Sequence, residues 1–142
     1  MPRLIEPVTL SGPHAWLEPL GPEHEDEVRA AAADGELWKL WYTSVPSPEK
    51  TGAWLDIALD MRERLDAMPF VIRDVHDGKP GKVVGSTRLF NVDAANKRLE
   101  IGHTWYAKSV QRTAVNTECK LLLLTHAFET LGCIAVEFRT HW

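Results

Sequence analysis

The chain has 142 residues, 44% hydrophobic and 25% charged, the proportions of one soluble globular domain. With 16 basic and 20 acidic residues its net charge is −4, which argues against a nucleic-acid binder built on a basic stripe and against a role on anionic membrane surfaces. Its 2 cysteines are too few for a disulfide framework and have no metal-ligand spacing, so a reducing cytoplasm is the expected setting and no metal is expected.

Met1–Pro7 lacks the apolar core of a secretory leader, and the longest apolar run, Leu121–Leu124, falls far short of the roughly 20 residues that span a bilayer. The start reads as a hairpin, Val8–Leu10 and Ala15–Leu17 about the turn Ser11-Gly12-Pro13. Pro22 opens a helix whose first turn is acidic, and Asp34-Gly35 closes it after the alanine run 30–33. Ser47-Pro48-Glu49 starts a second helix, with Trp54, Ile57, Ala58, Met61 and Leu65 on one face. The period then changes. Phe70–Ile72, Val83–Phe90 and Arg98–Tyr106 read as three strands of an antiparallel meander, joined by turns at Asp77–Gly81 and Asn91–Asn96. A helix over Thr113–Leu131, capped by Gly132, leads to a strand over Ala135–Thr140. A strand, a crossover helix and a further strand predict a parallel pair, so the order β-β-α-α-β-β-β-α-β is an α+β fold with a mixed sheet.

Several motifs fail on inspection. His24-Glu25-Asp26-Glu27-Val28 starts like a zinc-protease helix but has Val28 where the second histidine must stand. No Walker loop, nucleophile elbow or dinucleotide fingerprint is present, and His14, His24 and His76 read as surface or turn residues. The informative stretch is the strand–loop–helix joint after Tyr106. A helix N-terminus offers unpaired amides and partial positive charge, which suits a phosphate. In Gln111-Arg112-Thr113-Ala114-Val115-Asn116 small residues let the backbone approach a ligand, and Arg112 adds charge.

The run Glu100-Ile101-Gly102-His103-Thr104-Trp105-Tyr106, with Gln111–Asn116 and Cys119-Lys120-Leu121 through Phe128-Glu129, resembles the GNAT superfamily of acyltransferases. The likeness is greatest to the RimJ/RimL-type branch, which acetylates protein N-termini and small amines, and it extends from Leu17-Glu18-Pro19-Leu20 to the Cys133–Arg139 strand. It implies a mixed sheet flanked by helices, acetyl-CoA as cosubstrate and an amine as acceptor. The family signature at the loop is Q/R-x-x-G-x-G/A, whose amides hold the pyrophosphate. Gln111 matches it, while Ala114 and Asn116 replace small positions; Ala114 is a mild change if its φ is negative and a costly one if positive. The resemblance thus assigns Gln111, Arg112, Thr113, Ala114, Val115 and Asn116 to the pyrophosphate. It assigns the backbone of Thr104, Trp105 and Tyr106, on a strand that splays from its neighbour, to the acetyl carbonyl and pantetheine arm.

Transfer to an ammonium needs a base. Glu100 is the first candidate and His103, on the opposite pleat face, the second. The alternative roles are a carboxylate paired to Arg98 or Lys97 and a packed core imidazole. Trp38, Trp41, Tyr42 and Trp54 fall in the region that walls the acceptor pocket in the family, or else pack helices on the sheet. Cys119 is either a dipole-favoured thiolate or a small buried hydrophobe, and Gly102 inside a strand suggests a bulge. A whole domain of this family runs on for a helix and two strands, roughly 35–45 residues. Residues 1–142 are therefore expected to be a single domain truncated at its C-terminus, forming a homo-oligomer through the strand edge at Ile134–Arg139. A weakly active acyl-CoA-binding module and an interaction domain without a CoA site are the competing expectations.

Overall fold

The computed structural model of the chain describes residues 5–39, 45–64 and 67–138. Strands β1 (Leu10–Ser11), β2 (Ala15–Pro19), β3 (Ala67–His76), β4 (Lys79–Asp93), β5 (Arg98–Tyr106) and β6 (Ala135–Glu137) lie side by side in chain order. Every neighbouring pair is antiparallel except β5 and β6, which are parallel as the crossover predicts. The helices are α1 (Glu25–Ala33), α2 (Thr51–Glu63) and α3 (Ala114–Thr125).

The β3–β4 hairpin is longer and its turn tighter than the sequence suggests. Asp77 (φ 53°) and Gly78 (φ 76°) make a two-residue connection with both φ positive, the type that matches strand twist. Residues 67–72 are buried throughout because both faces of the sheet are covered, so β3 shows no alternation. Pro22 and Pro48 start short 3₁₀ turns that run into α1 and α2.

Register sorts the side chains. Ser86, Arg88, Phe90 and Arg73 share one face, and α1 and α2 cover it: Arg88 Nη1 lies 3.3 Å from Met61 Sδ, and Arg73 Nη1 donates to Glu27 at 2.7 Å. The opposite face carries Leu17, Phe70, Ile72, Leu89, Leu99 and Ile101, and α3 closes it with Cys119 and Leu123. This is the main core, and each fully buried leucine or phenylalanine in it contributes about 1.5–3 kcal/mol.

Four expectations need correction. Ile57 is 62% exposed, because the buried stripe of α2 runs through Thr51, Leu55 and Ala58 instead. His24 is buried: its Nδ1 accepts from the Gly21 amide at 2.9 Å and its Nε2 meets Glu18 at 3.1 Å, so a turn histidine has become a local staple. The regular helix ends at Thr125, and residues His126–Thr130 form a π turn before Gly132 (φ 72°). The last strand covers Ala135–Glu137 only; Leu65, Trp41, Tyr42 and residues 139–142 lie outside the described residues, as does the side chain of Trp38. Among the described residues no helix is long and apolar enough to cross a membrane.

Candidate functional site

Strand β5 changes character along its length. Arg98, Leu99 and Glu100 pair with Ala135, Val136 and Glu137 of β6, and the ladder stops there. From Ile101 onward β5 pairs with β4, and among the described residues no strand pairs its other edge. The β4 register also shifts: Arg88 pairs with Gly102 but Ser86 pairs with Trp105, so His103 and Thr104 together oppose Thr87. This is a β-bulge, and His103 carries it with φ 49°. Gly102 signals the bulge without being its left-handed residue. Gly85 allows the strands to meet just beyond it, since a Cβ there would lie 2.3 Å from the Trp105 carbonyl oxygen.

The bulge overturns one expectation about faces. Strict alternation puts His103 opposite Glu100, yet its ring packs edge-on against Phe90 with centroids 4.7 Å apart. Phe90 is the cross-strand partner of Glu100, so both candidate bases lie on one face. Glu100 is 4% exposed and accepts a hydrogen bond from Asn91 Nδ2 at 2.9 Å, where β4 makes its own bulge with Asn91 at φ 48°. Arg98 takes Glu137 as its ionic partner. His103 is exposed. Partial burial of the ring draws its pKa below the ordinary imidazole value; the Arg88 charge adds to this and Glu100 opposes it.

The three backbone positions expected to hold an acyl arm differ. Thr104 shares a 2.8 Å hydrogen bond with Thr87 through the two hydroxyls, the Trp105 carbonyl faces Gly85 of β4, and the Tyr106 carbonyl accepts from Gln111 Nε2 at 3.0 Å. Gln111 therefore staples the loop to the strand end. Asp34, after α1, fastens the same loop: its Oδ2 accepts from the Ser109 amide at 3.1 Å and its carbonyl from Lys108 at 3.3 Å. Arg112 then turns the chain with φ 61°, and Thr113 caps α3 by accepting from the Val115 amide at 3.4 Å. Ala114 has no positive φ, so its replacement of glycine is the mild case; the left-handed residue is Arg112. Asn116 accepts from Lys120 Nζ at 3.2 Å. The result is a helix start, whose first-turn amides have no intrahelical acceptor, beside the strand edge left unpaired among the described residues, an arrangement suited to an anion and an extended arm.

Behind this edge, Cys119 is buried and its thiol pKa is pushed up to about 12, mainly by burial. It is a small hydrophobe bonded to the Tyr106 hydroxyl, whose own pKa burial raises well above the phenol range. Trp54 meets Trp105 edge-on at 6.2 Å. The sequence reading passed over Arg88 and Asn91. A charged residue within Val83–Phe90, on a strand covered from both sides, was the available signal for Arg88. It is 3% exposed, its guanidinium carbon lies 5.4 Å from the centre of the Trp54 ring, and burial lowers its pKa to about 10.

The profile of the acetyltransferase (GNAT) domain matches residues 14–142, and the chain belongs to that family. A GCN5-related N-acetyltransferase from Brucella melitensis superposes with a TM-score of 0.76 at 29% identity, over 93% of this chain and 59% of its own. The chain thus spans about three-fifths of that relative's length. A GNAT-family protein of Chromobacterium violaceum ATCC 12472 (TM-score 0.78, 24% identity, 96% of this chain and 67% of its own) shares the fold. So does Mycobacterium smegmatis RimJ, solved with CoA-disulfide (TM-score 0.72, 20% identity, 95% and 68%). No curated protein matches the chain in sequence.

Proposed function

We propose that this GNAT-family chain binds acetyl-CoA and transfers the acetyl group to a primary amine, a protein N-terminus or a small molecule, in the manner of the RimJ/RimL-type branch. The observation that carries the reading is the bulged end of β5, unpaired on one side among the described residues, placed just before the N-terminus of α3. The pyrophosphate would sit over the amides of residues 112–116 with the Arg112 charge beside it, and the backbone of Thr104 would orient the arm, the Trp105 carbonyl being turned to Gly85 of β4. Acetyl-CoA supplies an activated thioester. Glu100, held by Asn91, takes a proton from the acceptor ammonium directly or through a water, which frees the nitrogen lone pair for attack on the acyl carbon. The new C–N bond replaces the C–S bond, and the thiol leaves.

Glu100→Gln keeps the shape and removes the basicity. It is expected to lower kcat by about 10²–10⁴-fold with little change in KM. A second reading, favoured by the exposure of His103 beside Glu100, gives the proton to the imidazole. The acid limb of the pH–rate profile separates them: it persists in Glu100→Gln and vanishes in His103→Gln only if His103 is the base. Arg112→Glu brings a like charge to the phosphates and is expected to weaken acetyl-CoA binding at least tenfold in calorimetry; unchanged affinity removes the pyrophosphate assignment. The two buried, unpaired cysteines support a cytoplasmic setting. Ile134, 74% exposed beside the short β6, supports association of two copies along that edge, which light scattering measures.

A further inference from the structure

We infer that Arg88 receives a carboxylate carried by the acceptor, so that the substrates are amines bearing a carboxylate group; the inference rests on the transferase reading above. Arg88 Nε is fully buried and among the described residues has no hydrogen-bond partner, and the same is true of Trp105 Nε1. Both groups stand against Trp54 of α2, at 5.4 Å from its ring centre for Arg88 and 6.2 Å between centroids for Trp105. Guanidinium and indole nitrogens only donate, so the partner both lack is an acceptor. Arg88 Nη1 donates to the Met61 sulfur at 3.3 Å, a weak acceptor on a flexible chain that yields readily to a better one. Among the described residues Arg88 makes no ion pair, although its pKa of about 10 keeps it cationic at neutral pH. A carboxylate matches the planar fork and supplies the missing charge.

The position serves the reaction. Arg88 pairs with Gly102, and the next same-face pair along the ladder is Phe90 with Glu100, about 7 Å away at the rise of a strand. A carboxylate held by Arg88 therefore leaves the amine of the same small molecule facing the Glu100–His103 side.

The test is calorimetry on the full chain, first with acetyl-CoA and then, on CoA-saturated protein, with free L-amino acids and the same compounds as carboxamides. At least one acid is expected to bind tenfold or more tightly than its carboxamide, and Arg88→Met to shrink that preference below twofold. Should Arg88→Met not fold, Arg88→Lys keeps the charge without the fork and is expected to lower the preference at least threefold. No acid–amide preference in any pair overturns the inference, and so does a preference that survives the substitution. Loss of acetyl-CoA binding with the preference intact sinks the transferase reading and leaves the carboxylate site standing.

Discussion

Arg73 on β3 and Arg88 on β4 share one face of the sheet, Arg73 against Glu27 of α1 and Arg88 against Met61 and Trp54 of α2, in opposite circumstances. Arg73 donates to Glu18 at 2.7 Å, to both oxygens of Glu27 at 2.7 and 3.0 Å, and to the Gly81 carbonyl at 3.0 Å. Arg88 has a thioether and an aromatic ring. Near Arg73 the fold completes its own polar chemistry; near Arg88 it leaves that chemistry for something else to complete. Burial alone does not distinguish a structural charge from a functional one. The distinction lies in whether the partner comes from the chain.

Breaking the first region is expected to have the largest effect on stability. Arg73→Met leaves Glu18 with His24 alone and takes from Glu27 its bidentate partner, and is expected to cost about 2–3 kcal/mol in urea unfolding, less than a fully buried pair because Glu27 is partly solvated. The acid response comes next. Burial raises the Glu18 pKa, but its bonds to Arg73 and His24 outweigh that, and Arg73 likewise holds Glu27 below the ordinary value near 4.5. With both folded values depressed, their stabilisation is present above the unfolded value and is lost as pH falls through the folded ones. Arg73→Met is therefore expected to flatten the fall in Tm below about pH 5. A fall as steep as the wild type's would show that these carboxylates are not what Arg73 holds. Arg88→Met is expected to move stability least, within about 1 kcal/mol and as readily upward as downward, because it removes a buried charge that has no partner to strand. A loss as large as that of Arg73→Met would make Arg88 a structural residue and erase the contrast.

Much of the fold was legible because its signals are local. Asp77-Gly78, Ser47-Pro48 and Gly132 mark turn, start and stop by backbone chemistry that tertiary packing did not override. The parallel β5–β6 pair followed from the length of the crossover. Other features depend on what lies across a gap in sequence. Ile57 fits an apolar stripe by spacing, but the direction in which α2 packs gives that stripe to Thr51, Leu55 and Ala58. His24 is buried because Glu18 and the Gly21 amide meet it in space. At the candidate site the loop 111–116 was readable as a motif, whereas the turning of His103 to the Glu100 face depends on register between β4 and β5. Asn91 and Arg88 bear no motif, and only the surrounding geometry distinguishes them.

The extra residue in β5 also works as a frameshift in the sheet. Upstream, the even-numbered positions 100 and 102 lie on the face of Phe90 and Arg88; downstream, the odd-numbered Trp105 does and meets Trp54 of α2, while Tyr106 turns to Cys119. Straightening the strand with every residue kept would exchange the addresses of those two aromatics, sending the indole toward Cys119 and the phenol toward Trp54, whereas deleting residue 103 would restore simple alternation and leave both where they are. The faces of the residues beyond this point thus depend on the extra residue being taken up as a bulge, and His103 is punctuation as much as it is a side chain.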